Sequence, residues 1–404
     1  MRVLIGILLY PPDFTGAGFR IHRLYNNLKK KGIKKIYVIT NCLRIIDAKT
    51  RIYDDMEIYY VNTNFKYARK QKKFINNILK TLVILRSIVT TLIIFLKLRN
   101  KIDIVHTIDS SWFSTLIGWH AFLLKIPLVK EIVMLGIDDP LHLRESRFFI
   151  FKKLLLFPFQ YAKLIIAISP PLKDACLKYG LSEEKIWCRF NPVYLNDFTT
   201  SSESIMQKYL DYSARRLLWV GVIIRRKNLE FLLKSAYYLQ GNVQLIMVGP
   251  REDENYFYEL MSLSNQITQE TNGRIKTIFL GMVDDRRELA FLYKNAHLFW
   301  FSSLCEGLGN VVIESLISGT PVIALPVNGI MKYLILDKDD GEVVDTNDPK
   351  YFGEIVNKAL YNTIYNRDKI ATRAKNRFNA EEVENEYLSK FAEILKKKRT
   401  NESV

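Results

Sequence analysis

The stretch FSSLCEGLGNVVIESLISGTPVIAL, Phe301–Leu325, decides how this chain reads. It opens on an apolar run that suits a buried strand and passes through a turn, Gly307-Leu308-Gly309. A helical pattern then starts near Asn310, a good N-cap, and a second apolar run, PVIAL, follows it. Strand, loop, helix and strand in this order are the working unit of a parallel sheet. Two carboxylates lie eight positions apart in it, Glu306 in the loop and Glu314 on the helix. A helix N-terminus offers unpaired N–H groups and the positive end of its dipole, a ready site for a diphosphate. Glycines beside it let the backbone come close to a ligand. Carboxylates accept hydrogen bonds from sugar and ribose hydroxyls.

The same rhythm extends in both directions. RLLWVG, VQLIMVG, IKTIFLG and HLFWFSS are short apolar runs upstream, separated by helical segments. Downstream, Asp348-Pro349 opens another helix, and Glu381–Lys398 reads as a charged amphipathic helix. In the first half RVLIGILL, KIYVIT, DIVHTI, IPLVKEIV and KLIIAIS read as strands. The rhythm breaks after Asn191-Pro192 into the polar stretch Asn196–Ser204. We therefore expect an α/β chain with two Rossmann-like domains, 1–195 and 205–378, facing each other across a cleft. A helix over 379–404 is expected to return to the first domain. Ligands of doubly wound sheets bind beyond the carboxyl ends of the strands, where the residues above fall.

At this point the chain resembles the retaining GT-B glycosyltransferases of family 4. EGLGNVVIESLISGTPVIA matches the E-x7-E arrangement of that family. WVGVIIRRKNLEFLL (Trp219–Leu233) is similar to its strand-loop-helix with a phosphate-binding lysine, here Lys227. AISPPLKDACLKYGLSEEKIWCRFNPV (Ala167–Val193) looks like its hinge, and YPPDFTGAGFRIHRLYNNLKKKG (Tyr10–Gly32) like its glycine-containing first loop and helix. The resemblance implies an acceptor-binding first domain and a second domain for a UDP- or GDP-sugar, used as co-substrate with no cofactor and no metal. It implies that Glu306 contacts donor-sugar hydroxyls, Glu314 the ribose and Lys227 the diphosphate. Gly16 and Gly18 would bring N–H groups to phosphate, and Met282 and Val283 would hold the base. Gly307, Leu308, Gly309 and Asn310 line the same donor site.

The chain departs from the family pattern twice. Val222 stands where an arginine is frequent, leaving Arg225 or Arg226 as the substitute, and Val133 stands where a histidine is frequent. On the acceptor side His106 (as a catalytic group), Asp109, Glu131, Asp138 and Asp139 are the candidates. Blander readings stay open: His106 suits a hydrogen-bonded core position, Asp138-Asp139 before Pro140 suits a turn, and Cys305 suits packing.

Composition narrows the partners. The net charge is +17, and ten Lys or Arg with no acidic residue lie between Glu57 and Asp103. They are interleaved with TLVILRSIVTTLIIFL (Thr81–Leu96). Lys80, Arg86 and Lys97 interrupt this run, so a helix lying against the core and an anionic inner leaflet fits better than a spanning one. Nucleic acid is disfavoured, because the basic stretch carries Ile and Leu where stacking aromatics would be needed. Cys42, Cys176, Cys188 and Cys305 are scattered and suit a reducing cytoplasm. MRVLIGILLYPP lacks a cleavage site and reads as a first strand. The function expected is transfer of a sugar to a glycan or lipid-linked acceptor in cell-surface polysaccharide or glycolipid synthesis, at the inner face of the cytoplasmic membrane. The alternative is a catalytically weak nucleotide-sugar-binding subunit.

Overall fold

The computed structural model describes residues 1–11, 16–41, 50–61, 73–145, 149–198 and 204–402. Its chain divides into two units, Met1–Phe190 with Glu381–Val404, and Asn191–Ala380.

The first unit holds an eight-stranded sheet in the order β3-β4-β2-β1-β5-β6-β7-β8. The strands are β1 (Arg2–Ile7), β2 (Lys35–Asn41), β3 (Thr50–Tyr53), β4 (Met56–Val61), β5 (Ile104–Ile108), β6 (Leu128–Ile132), β7 (Leu164–Ala167) and β8 (Ile186–Cys188). All pairs are parallel except β3 with β4. The interior strands β5, β6 and β7 are buried at every position, as continuous apolar runs in a covered parallel sheet should be. The edge strand β3 is exposed throughout and has no apolar periodicity to betray it. Its hairpin turns on Asp54 and Asp55, both with positive φ (47° and 61°), a conformation Asp tolerates.

Helices α1 (Gly16–Lys30), α2 (Lys73–Leu98), α3 (Trp112–Leu123), α4 (Pro140–Glu145), α5 (Phe149–Tyr161) and α6 (Pro170–Tyr179) join these strands. Helix α2 is inverted in polarity. Ser87 and Thr91 face inward with Phe95 and Leu98, and Thr91 Oγ1 lies 2.8 Å from His120 Nε2 on α3. Leu82, Leu85, Val89, Ile93 and Leu96 face outward, each about half exposed. Its apolar row therefore does not cover the sheet. By length and composition Thr81–Lys101 could cross a membrane, but its inward face is built into this unit. Lys66, Arg69, Lys70 and Lys72 of the basic stretch lie outside the described residues, as do Cys42 and the polar residues 199–203.

The second unit holds a parallel sheet in the order β11-β10-β9-β12-β13-β14. Its strands are β9 (Arg215–Val220), β10 (Val243–Val248), β11 (Ile275–Gly281), β12 (Leu298–Phe301), β13 (Val322–Ala324) and β14 (Gly341–Val343). The helices are α7 (Leu229–Ala236), α8 (Glu254–Glu270), α9 (Arg286–Asn295), α10 (Asn310–Ile317), α11 (Pro349–Tyr361) and α12 (Arg367–Arg377). Gly249 ends β10 with φ 144°, and a Cβ there would lie 1.7 Å from the Gly221 carbonyl oxygen. No side chain fits at this strand end, which is why position 249 is glycine. The last helix, α13 (Ala380–Glu402), places Val383, Tyr387 and Phe391 in the core of the first unit.

Candidate active site

Among the parallel strands of each sheet the order reverses once, between β1 and β5 in the first unit and between β9 and β12 in the second. At such a switch point the connections leave in opposite directions, which opens a crevice at the carboxyl ends. In the second unit the loop after β9 carries Arg225, Arg226 and Lys227, and the loop after β12 carries Glu306 to Gly309.

Backbone and hydroxyl contacts zip these two loops together. Leu304 N–H donates to the Arg226 carbonyl at 2.9 Å, and Ser302 Oγ donates to the carbonyls of Lys227 and Asn228 at 3.0 and 2.9 Å. The side chains then converge. Lys227 Nζ donates to Glu306 Oε1, and Arg226 Nη1 stands 3.2 Å from the same oxygen. Arg226 also donates to the Cys305 carbonyl at 2.5 Å. Burial pulls the Lys227 ammonium pKa below its usual value, and Glu306 opposes that shift. Two cations thus share one carboxylate beside the start of α10, and a positive charge is left over there.

Arg225 takes no part. It bonds Glu259 at 2.5 Å and lies over the Tyr256 ring on α8, so of the two arginines weighed as substitutes only Arg226 reaches Glu306. The helix cap also differs from the expectation. Gly309 is the N-cap, with φ 91°, and Asn310 is the first helical residue. The Asn310 side chain instead accepts from Asn191 Nδ2 at 2.8 Å. Gly307 and Leu308 are buried in the turn between Glu306 and that cap.

Glu314 sits in the second turn of α10, with Oε1 accepting from Arg286 Nη2 at 2.6 Å and Oε2 from the Tyr293 hydroxyl at 3.0 Å. Neither partner carried a sequence signal beyond its place on an ordinary amphipathic helix. Met282 and Val283 lie in the loop between β11 and α9, and Met282 is exposed. Gly16 and Gly18 are in the first unit, in the opening turn of α1; no acidic residue stands in that turn.

The acceptor-side candidates divide. His106 is fully buried, with Nδ1 2.7 Å from the Tyr25 hydroxyl and its ring against Tyr387 and Phe391. Burial lowers its pKa. Glu131 is fully buried too, paired with Arg20 and accepting from the Tyr387 hydroxyl at 3.0 Å. Burial alone would raise the Glu131 carboxyl, but Arg20 and His106 outweigh it and hold the pKa at about 2. Neither group faces solvent. Both tie β5 and β6 to α1 and α13. Val133 likewise packs against this core.

Asp109, Ser110 and Asp138 form a separate cluster at the ends of β5 and β6. Asp109 has φ 67° and accepts from the N–H groups of Ser111 (2.8 Å) and Leu8 (3.3 Å). Asp138 accepts from Ser110 N–H at 3.2 Å, and burial, with Asp109 nearby, raises its pKa to about 6. Asp139 accepts from Gly136 and His142 N–H groups at 2.6 and 3.0 Å, the turn role open to it from the start. Sequence reasoning missed Lys130, wholly buried in β6, which donates to the Asp109 carbonyl at 2.9 Å. Burial lowers its pKa to about 8. A lysine inside the apolar run LVKEIV was the signal.

Comparison with known proteins bears on the second unit most directly. The sequence model of the glycosyl transferases group 1 family matches residues 202–377. The chain is 26% identical over 243 residues to an alpha-1,4-N-acetyl-D-galactosaminyltransferase of Campylobacter jejuni, named for a diNAcBac-PP-undecaprenol-linked acceptor; the match covers 56% of this chain and 62% of that one. It is 28% identical over 246 residues to a capsular polysaccharide biosynthesis glycosyltransferase of Staphylococcus aureus, covering 57% of this chain and 62% of that one. These matches span less than two thirds of either relative. Among solved structures, Anabaena HepE in complex with UDP superposes with a TM-score of 0.73 at 16% identity, covering 97% of this chain and 100% of that one. Residues 202–377 thus match the glycosyl transferases group 1, within a chain that has the GT-B fold.

Proposed function

We propose that this chain is a retaining, metal-independent glycosyltransferase drawing on a UDP- or GDP-sugar. The observation that carries this reading is the charge balance beside α10: Lys227 and Arg226 share the single carboxylate Glu306. The cationic surplus and the helix N-terminus both favour a diphosphate. In this reading Lys227 and Arg226 hold the diphosphate and ease its departure. Glu306 takes donor-sugar hydroxyls, Glu314 takes the ribose, and the backbone at Met282 and Val283 borders the base. Gly16 and Gly18 offer N–H groups from the first turn of α1. The anomeric carbon–oxygen bond to the diphosphate breaks as the bond to the acceptor oxygen forms on the same face. The leaving phosphate takes the acceptor proton, so no protein nucleophile is needed. A melting screen tests this. UDP or GDP should stabilise the chain more than uridine or guanosine, by about 2.7 kcal/mol at a hundredfold excess over Kd. Donor turnover should survive EDTA. Binding without any donor hydrolysis or transfer would favour the nucleotide-sugar-binding subunit instead, and loss of turnover in EDTA would remove the metal-independent reading.

The acceptor in this proposal is a glycan or lipid-linked glycan at the inner face of the cytoplasmic membrane, where the first unit binds anionic lipid. The outward row Leu82, Leu85, Val89, Ile93 and Leu96, with Arg86 and Lys97 exposed on the same helix, supports it. Apolar side chains with adjacent cations suit the boundary between headgroup and acyl chain. The protein should pellet with vesicles containing anionic lipid and be only partly released by high salt, because screening acts on charge and not on inserted apolar surface. Replacing Leu85, Val89 and Ile93 with Ser should make the residual binding fully salt-sensitive. Absence of association at any salt would leave a soluble acceptor as the better reading.

A further inference from the structure

Arg286 and Tyr293 stand seven positions apart on α9, so both project from one face of that helix. They meet Glu314 from the same side. Arg286 Nη2 donates to Oε1 at 2.6 Å and the Tyr293 hydroxyl donates to Oε2 at 3.0 Å. Tyr293 is fully buried, and burial together with the adjacent Glu314 raises its phenol pKa well above normal, so it remains a donor. Arg286 is steadied in turn by Asp197, at 3.6 Å. Each carboxylate oxygen has two lone-pair directions. One on each oxygen is occupied by a protein donor from a fixed direction, which sets the plane of the carboxylate. One on each oxygen is left.

Two acceptor positions held side by side in one plane match two neighbouring hydroxyls. The arrangement at Glu306 is different: there both cations crowd onto Oε1.

We infer that Arg286 and Tyr293 are positioning residues that present Glu314 to the 2′,3′-cis-diol of a ribonucleoside diphosphate and make the site select ribose over 2′-deoxyribose. This rests on the proposed role of Glu314. Neither residue needs to touch the nucleotide. Their effect is to keep two hydrogen bonds available at once, where a freely rotating carboxylate would offer one good bond at a time.

The test is calorimetric titration of the full chain with UDP and 2′-deoxy-UDP, with GDP and its 2′-deoxy form run alongside. The wild-type chain should prefer the ribonucleotide by about 10- to 100-fold, the worth of a hydrogen bond to a charged group. Arg286→Gln and the near-isosteric Tyr293→Phe should bring ribonucleotide affinity down towards that of the deoxy form, which itself should barely change. Arg286→Lys, which keeps a charged donor, should restore part of the preference. Melting without ligand checks that each variant is folded. Equal losses for both sugars would mean a structural role only and overturn the inference. A wild-type chain that binds both diphosphates equally would overturn it as well, while leaving the diphosphate site at Lys227 standing. Failure of the wild-type chain to bind either ribonucleotide would remove the donor-site reading and this inference together.

Discussion

Glu306→Gln and Glu306→Ala should each lower turnover at least about 10²-fold, the usual consequence of losing hydrogen bonds that strengthen in the transition state. The Gln variant keeps the shape of the side chain and removes its charge. Lys227 and Arg226 then lose the carboxylate they share, and their whole charge becomes available to the diphosphate. Nucleoside diphosphate affinity should therefore hold or rise while turnover falls. That split separates a catalytic role from a packing role, which would lower both. The Ala variant also leaves Lys227, a largely buried lysine, without its counter-ion, so some loss of stability is expected with it. Wild-type turnover in both variants at matched folded concentration would show that Glu306 has no part in the chemistry.

Lys227→Ala should weaken nucleoside diphosphate binding by about 10- to 100-fold and leave the nucleoside nearly untouched. The estimate is the worth of one charge-assisted hydrogen bond, which only the diphosphate can accept. Arg226 remains 3.2 Å from Glu306 in this variant, so the carboxylate keeps a partner and the loop keeps its backbone bonds to Leu304 and Ser302. Those bonds use the main chain of Arg226, Lys227 and Asn228, which the substitution spares. Equal losses for nucleoside and diphosphate would instead assign Lys227 to holding the loop. Titration with uridine and UDP, or guanosine and GDP, reads the difference directly.

Much of this was legible in residues one after another. Apolar runs such as RLLWVG and VQLIMVG have one secondary structure open to them when helices separate them, and the glycine that ends the second marks a strand end too close to its neighbour for a side chain. The pair Glu306 and Glu314 on either side of a glycine turn is local chemistry, set by a strand end and a helix start. What escaped was weak in pattern. The exposed strand β3 shows no alternation because neither face is buried, and β8 and β14 are three residues each.

The two α/β units, the loops that carry the site and the surplus of positive charge follow from period, turn chemistry and charge, which are properties of neighbours along the chain. Which of those residues meet was settled by folding. It sent Arg226 to Glu306 and Arg225 to Glu259, although the two are adjacent, because successive side chains on a short turn leave in different directions. It buried His106 and Glu131 with Arg20 and Tyr387, the last of them 256 positions from Glu131 along the chain, by laying α13 across the first unit. It turned the apolar row of α2 outward, since Ser87 and Thr91 rather than Leu and Ile reach His120 and the core. It also clamped Glu314 between Arg286 and Tyr293. A helix face is fixed by what packs against it, and that partner lies far away in sequence.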